Sequence, residues 1–298
     1  MSLIIENKYE IKKQIGEGAY GKIFLATNTN TQEEVAMKID SSILLKNEAR
    51  IYNLFHNCRG IPKMRAFGKE GDYNYLVMDK LGDSLESLKN KNKGAVSLKT
   101  TIMTGLQLLK RLETVHQKHI VHRDVKPENF LIGGTEKTRN QIYIIDFGLS
   151  KLYSIQNKHV EMLTDRTPIG TYDYISLNVH RGYTPSRRDD LESLGYIIIY
   201  MLVGKLPWSH VQSESTTSEY RNDNQDLDKS VERKIYEIKN SFQLWNLDIP
   251  GEFITFIQYC RSLKYDEEPN YHYLSSLLTN LFAMKEYTID APFCWSPK

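Results

Sequence analysis

Residues 9–15 and 22–26 read as two strands, and between them Gly16-Glu17-Gly18-Ala19-Tyr20-Gly21 places three glycines in a turn. A third strand is predicted at Val35-Ala36-Met37-Lys38. The pattern then changes period: over residues 47–55, Ile51, Leu54 and Phe55 fall on one face at helical spacing. Gly71-Asp72 is expected to turn a hairpin between strands near residues 64–67 and 75–78. Ile102, Leu106, Leu109 and Leu112 repeat as an amphipathic helix does. Phe130-Leu131-Ile132 and Ile142-Tyr143-Ile144-Ile145 predict a second strand pair, joined by the polar loop 133–141. Residues 151–168 show no clear periodicity. Residues 194–203 are apolar on nearly all sides and predict a buried helix, far short of the roughly 18 to 20 residues that cross a bilayer. Phe253, Phe256, Ile257 and Cys260, then Leu274, Leu277, Leu278 and Leu281, form two further helical faces. The polar residues 210–230 bury almost nothing and read as a surface insertion. Residues 290–298 hold two prolines and no period, and the chain has no internal repeat.

Composition narrows the class without choosing a chemistry. A chain of 298 residues can bury a large core, as one unit of two lobes or as two small domains sharing a cleft. The 40% hydrophobic and 26% charged residues are those of a soluble globular protein. A formal net charge of +2 is too small to argue for a nucleic-acid partner. Cys58, Cys260 and Cys294 are far apart and lack a Cys-x-x-Cys or Cys/His spacing, so neither a disulfide framework nor a zinc site is expected. A reducing compartment follows. The opening residues, Met1-Ser2-Leu3-Ile4-Ile5-Glu6, are too short and too soon charged for a signal peptide, and no membrane partner is expected.

Chemistry concentrates in His122-Arg123-Asp124-Val125-Lys126-Pro127-Glu128-Asn129. Asp124 can accept the proton of an attacking hydroxyl, Lys126 can neutralise a moving phosphoryl group, and Asn129 can offer its amide oxygen to a hard cation. His-Arg-Asp alone would be read as a solvated turn. Fixing His, Arg, Asp, Lys and Asn in one octamer has a chance frequency on the order of 1 in 10,000 for such a chain, which decides against that reading. Asp146-Phe147-Gly148 follows the strand at 142–145 and supplies a carboxylate for Mg²⁺; the hairpin sets Asn129 and Asp146 near one another as two ligands of one metal. Upstream, Gly16, Gly18 and Gly21 let the backbone lie close over phosphates, and the strand-turn-strand context separates this loop from a dinucleotide-binding turn, which would open a helix. Lys38 reaches the α- and β-phosphates, with Glu48 as its partner. Ile15, Ile23, Ala36 and Leu131 are placed around an adenine; Asp79-Lys80-Leu81-Gly82 resembles the hinge of a protein kinase, which would set it beside the adenine and Met78 behind.

In this order the motifs match the protein-kinase signature set, and the chain resembles a eukaryotic protein kinase over about residues 9–282. Within that group it is similar to the casein kinase I family. Tyr174-Ile175-Ser176-Leu177-Asn178-Val179-His180 stands where most kinases carry Ala-Pro-Glu and is close to the family's Ser-Ile-Asn-Thr-His. Ser-Arg-Arg-Asp-Asp-Leu-Glu-Ser-Leu-Gly-Tyr at residues 186–196 is a second marker. Lys126-Pro127-Glu128-Asn129-Phe130-Leu131, Leu81-Gly82-Asp83-Ser84-Leu85-Glu86 and Cys260-Arg261-Ser262-Leu263 add to it.

The resemblance implies an α+β, bilobal kinase-like fold. A β-rich N-lobe would span about residues 9–79 and a helical C-lobe about 80–282, with a short extension at 1–8 and a tail at 283–298. It implies ATP and Mg²⁺ in the cleft, serine/threonine protein substrates and a monomer. It also implies a cytoplasmic location, with entry to the nucleus left open, and a hinge at Asp79 and Leu81 that binds adenine through its backbone. A pseudokinase scaffold is the alternative, against which every catalytic position is intact. Two departures bear on substrate choice. Thr171-Tyr172-Asp173-Tyr174 replaces the family's Thr-Ala-Arg-Tyr, and the family's partner lysine falls near Val231. An acid in place of the phosphate-holding arginine predicts that priming helps little. Arg123, Lys151 and Arg166 match three basic positions that gather around a second anion in the family.

Overall fold

The computed structural model describes residues 3–18, 21–211, 224–241, 247–288 and 293–295, with no side chains at 224–228. These residues divide into two compact units: residues 1–84 with 129–150, and residues 85–128 with 151–298.

The first unit is a six-stranded antiparallel sheet in the order β1-β2-β3-β4-β6-β5. Its strands are β1 (Ile4–Ile5), β2 (Tyr9–Gly18), β3 (Gly21–Asn28), β4 (Glu34–Asp40), β5 (Met64–Glu70) and β6 (Tyr73–Asp79). Period-two burial builds the core beneath it: Tyr9, Ala26, Val35, Met37, Tyr75 and Val77 point to one face and pack together with Ile5. β2 and β3 close on the pair Gly18↔Gly21, so the glycine-rich segment is a hairpin; Ala19 and Tyr20 lie outside the described residues. Only Gly21 is demanded by the backbone, since its φ is +119° and a Cβ there would meet Ile39 O at 2.6 Å.

Helix α1 (Leu44–Leu54) corrects the expected face. Leu54 is 48% exposed, whereas Leu45, Glu48, Ala49 and Tyr52 are buried. Phe55 is buried as expected and Ile51 half-buried, but a buried acid sits in the face that packs inward, which turns Leu54 outward. The hairpin β8 (Phe130–Ile132) and β9 (Ile142–Ile144) belongs to this unit despite its distance in sequence. Its backbone bonds explain why: Gly82 N–H donates to Ile132 O at 2.8 Å, Ile132 N–H to Asp83 O at 3.0 Å, and Ile144 N–H to Gly60 O at 2.9 Å.

The second unit is built on α5 (Arg187–Val203), of whose 17 residues 12 are buried. This is the apolar helix that the sequence predicts. Helix α3 (Leu98–His116) and α7 (Gly251–Ser262) lie against it through glycines: a Cβ on Gly105 would meet Ile198 at 3.1 Å, and one on Gly195 would meet Ile257 at 2.5 Å. Helices α2 (Leu85–Lys91), α4 (Leu177–His180), α6 (Asn224–Ser241) and α8 (Tyr271–Met284) complete it. The aperiodic residues 151–168 contain three two-residue strands, β10 (Lys151–Leu152), β11 (Ser154–Ile155) and β12 (Lys158–His159); β10 pairs with β7 (Ile120–Val121) and β11 with β12. Most of the polar run at 210–230 lies outside the described residues, but Val211 is buried and the backbone is helical from Asn224. Of the tail, Phe293 is buried and the Cys294 N–H donates to Thr100 Oγ1 at 3.0 Å; residues 289–292 and 296–298 lie outside the described part. No described helix is long and apolar enough to cross a membrane.

Candidate active site

In the first unit, the register Ile23↔Lys38 and Ala36↔Met78 carries four of the expected nucleotide residues on three adjacent strands. Ile23, Ala36, Met78, Asp79, Leu81 and Leu131 are half-buried, while Ile15 is 48% exposed. A Cβ on Gly16 would sit 3.5 Å from Ile23, and one on Gly18 would meet nothing within 4 Å. Gly18 therefore keeps open a space that the fold does not itself need. Along residues 79–82 the Asp79 N–H donates to Lys63 O at 3.1 Å and the Gly82 N–H to Ile132 O at 2.8 Å. Among the described residues the Leu81 N–H makes no backbone hydrogen bond. The Asp79 carboxylate is used by Lys63 N–H at 2.9 Å and Arg65 Nε at 2.7 Å, so a ligand there would be held by the backbone.

Lys38 is 7% exposed and Glu48 1% exposed. The ammonium donates to Glu48 Oε2 at 2.8 Å and to Asp146 Oδ1 at 2.9 Å. Burial works against the Lys38 charge, but the two carboxylates outweigh it and hold its pKa above the ordinary lysine range. Glu48 is the partner that yields: burial pushes its carboxyl up to about 7 against the pull of Lys38. Asp146 has φ +64°, and its N–H donates to Tyr52 Oη at 3.3 Å. Phe147 is fully buried, with ring centroids 5.0 Å from Tyr52 and 4.9 Å from Phe55. Asn129 is buried, and its carbonyl accepts the Ile145 N–H at 3.0 Å, one residue before Asp146.

This set fits a nucleoside triphosphate with Mg²⁺: a hard cation takes one or two protein oxygen ligands and completes its shell with phosphate and water. No cluster of three or more His, Cys, Asp or Glu exists among the described residues to hold a different kind of metal.

In the second unit, Asp124 is 6% exposed. Lys126 Nζ lies 2.8 Å from Asp124 Oδ2, Thr171 Oγ1 donates to Asp124 Oδ1 at 2.9 Å, and Lys126 Nζ donates to Thr171 Oγ1 at 3.2 Å. The carboxylate is thus oriented from both sides, with a cation at one oxygen. Its loop is held from below by Asp190, which accepts the His122 N–H at 2.7 Å, the Arg123 N–H at 2.9 Å and a bond with His116 Nε2 at 2.9 Å. Burial opposes the Asp190 charge, yet His116 and the loop amides prevail and its pKa is lowered. Arg123 has φ +69°, and Gly170 packs so closely on it that a Cβ would meet Arg123 O at 2.6 Å.

The protein kinase domain family matches residues 9–276. The chain belongs to that family. The kinase domain's β-rich N-terminal region and helical C-terminal region are those described above. Within it, Lys38, Glu48, Asn129 and Asp146 are brought together in one unit, and Asp124 and Lys126 in the other. Thr171 and Asp190 are not among the site residues expected from the sequence; only the fold brings them to Asp124 and its loop. The three basic candidates are placed on separate pieces of backbone. Lys151 is exposed opposite Val121 in the β7–β10 pair, Arg166 is exposed with its N–H on Gly182 O at 3.0 Å, and Arg123 is half-buried. Asp173 is half-buried, and burial raises its pKa.

Proposed function

We propose that this kinase domain is an ATP-dependent serine/threonine protein kinase of the casein kinase I type, acting on acidic sequences without a priming phosphate. The observation that carries the catalytic part is the triangle of Asp124, Lys126 and Thr171, which orients a buried carboxylate as a base. In this reading Asp124 takes the proton of a substrate hydroxyl as its oxygen bonds to the γ-phosphorus, and the bond to the departing ADP breaks with its electron pair. Lys38 would steady the α- and β-phosphates, and Lys126 the phosphoryl oxygens. Asn129 and Asp146 would hold Mg²⁺, which when bound offsets the charge of the phosphate oxygens. The hydroxyl preference and the casein kinase I type rest on the segments at 174–180 and 186–196. The acidic, unprimed preference rests on Asp173 where that family has arginine, with Arg123, Lys151 and Arg166 retained.

A radiometric assay on casein, wild type beside Asp146→Asn, tests the reading, with phosphoamino-acid analysis of the product. Phosphoserine and phosphothreonine are expected from the wild type alone. Nucleotide binding without transfer would make the protein a pseudokinase, and phosphotyrosine alone would overturn the hydroxyl class. Peptide arrays with phosphoserine, aspartate or alanine three residues before the acceptor test the rest: a strong phosphoserine preference unaffected by Lys151→Ala and Arg166→Ala would sink it.

A further inference from the structure

Lys239, on α6, is a fully buried cation that the chemistry above does not use. Its Nζ donates to Tyr172 O at 2.6 Å and to Ile175 O at 2.8 Å, and it lies 3.2 Å from His180 Nε2. Three acceptors match the three N–H bonds of an ammonium; a neutral amine has only two. The charge also lies over the Tyr196 ring at 5.1 Å and the Trp208 ring at 5.0 Å. Burial pulls its pKa down to about 7, opposed by Glu192 and Asp173 and reinforced by Arg261.

The two carbonyls it grips belong to one turn. Thr171 O accepts from Tyr174 N at 2.8 Å and Ile175 N at 3.1 Å, closing residues 171–175 on themselves. Asp173 O accepts from Trp208 Nε1 at 2.9 Å. Of the turn's carbonyls, Tyr172 and Ile175 thus accept from Lys239, Tyr172 being bonded to His180 as well, and Asp173 accepts from Trp208. The first residue of this turn is Thr171, whose hydroxyl donates to Asp124 Oδ1 at 2.9 Å.

We propose that Lys239 is a positioning residue: its ammonium fastens the 171–175 turn to α6, and through that turn it keeps the Thr171 hydroxyl on the base Asp124. The inference rests on the proposed role of Asp124 for its catalytic part only; the fastening itself is read from the turn. Lys239 is fully buried with its ammonium taken up by the turn and His180, so its effect belongs in kcat and not in the KM for ATP.

The test is a double-mutant cycle of Lys239→Met and Thr171→Ala on casein phosphorylation, with amide hydrogen exchange on the same proteins. Lys239→Met alone is expected to lower kcat by about a hundredfold, as displacement of a catalytic group by about an ångström does, with the KM for ATP within about twofold. In the Thr171→Ala background it should cost no more than about twofold, because the group it positions is gone. Equal losses in both backgrounds would overturn the proposal, since a residue that only supports the fold acts additively. If Lys239→Met does not fold, Trp208→Phe, which removes the bond to Asp173 O, enters the same cycle with the same criterion. Exchange at the Tyr174 and Ile175 amides should rise in Lys239→Met while α5 stays protected; unchanged protection refutes the fastening. That readout needs no turnover, so it stands even if the wild type fails to phosphorylate casein.

Discussion

Replacing Lys38 by methionine keeps the side chain's length and removes its charge, leaving Glu48 with 1% exposure and no cation. Removing one partner of a buried pair costs about 3–5 kcal/mol when the other stays charged. The carboxyl has an escape, because burial already pushes it up to about 7 and loss of the ammonium raises it further. Its folded pKa then stands above the unfolded value of 4.5, so the stability linked to this group is full below 4.5 and is lost as pH rises through the folded value. In the wild type that loss runs from 4.5 to about 7, and in Lys38→Met it continues to a higher pH. At pH 6 the folded variant therefore holds Glu48 neutral, and unfolding releases the proton. The deficit of the variant relative to the wild type therefore grows with pH only above 7, at up to about 1.4 kcal/mol per pH unit.

Near pH 6 the deficit of Lys38→Met should be about 1–2 kcal/mol, the part due to the lost hydrogen bonds to neutral Glu48 and to Asp146. Any further dependence on pH must follow Glu48 and must vanish in Lys38→Met/Glu48→Gln. Urea unfolding at pH 6, 7, 8 and 9 measures it. Turnover is expected to fall by orders of magnitude at every pH, whatever happens to stability, because charge stabilisation of the phosphates is gone. A double variant that regains activity together with stability would refute the catalytic role. A pH dependence untouched by Glu48→Gln would refute the titration argument.

Asp124→Asn and Asp146→Asn should each reduce turnover by orders of magnitude while circular dichroism and thermal unfolding change little; near-wild-type activity in Asp124→Asn would remove the base from Asp124. Gly21→Ala should destabilise by about 1–3 kcal/mol, because φ is +119° and the Cβ would strike Ile39 O. Gly18→Ala should leave stability within about 0.5 kcal/mol and raise the KM for ATP, and an unchanged KM would show that no phosphate approaches there. Thr164 and Thr167 are exposed acceptors in the 151–170 segment, yet the resemblance implies activity without phosphate on them. Bacterially made, phosphatase-treated protein should therefore phosphorylate casein without a lag, and a need for an upstream kinase would count against it.

Local signals in the sequence were enough where the chain itself fixes the geometry. Gly71-Asp72 turns β5 into β6, Gly18↔Gly21 closes the first hairpin, and Phe130–Ile132 pairs with Ile142–Ile144 as the two apolar runs predict. The octamer at 122–129 was legible because its residue types are rare together. Tertiary partners outside the motifs were not legible, although Glu48 was expected beside Lys38 and lies there. Thr171 looks like any threonine until the fold brings it to Asp124, 47 residues away in sequence. Glu48 breaks the apolar pattern of α1 because Lys38 lies within reach, so the face chosen from Ile51, Leu54 and Phe55 includes exposed Leu54. Strands of two residues, such as β10 to β12, are too short to show a period. Lys239 reads as a surface lysine in a polar helix, and only the carbonyls of Tyr172 and Ile175 make it otherwise.

The first turn of α5 shows why such residues escape a local reading. Asp189, Asp190 and Glu192 suit a helix N-terminus, where the dipole favours acids, and nothing more would be needed to explain the first two. Yet exposed acids would serve the dipole as well, and these three are 4%, 2% and 1% exposed. Burying a carboxylate is costly unless fixed donors meet it, and each has its own set. Asp189 takes Ser176 Oγ at 2.5 Å and the Ser186 N–H at 2.7 Å, Asp190 takes the amides of His122 and Arg123, and Glu192 takes Arg261 Nε at 3.0 Å and Tyr196 Oη at 2.5 Å. Burial raises Asp189 to about 6, and hydrogen bonds pull Asp190 down, so the two neighbours are held in different charge environments by what they grip. One helical turn thus ties down the start of α4 through Ser176 and the loop of Asp124 through its backbone. With Lys239 of α6 gripping the turn between them, Asp124, the threonine bonded to it and the segment beyond are referred to α5 and α6. This explains how an irregular chain from residue 122 to 130 and another from 170 to 176 can hold a carboxylate to within hydrogen-bond tolerance.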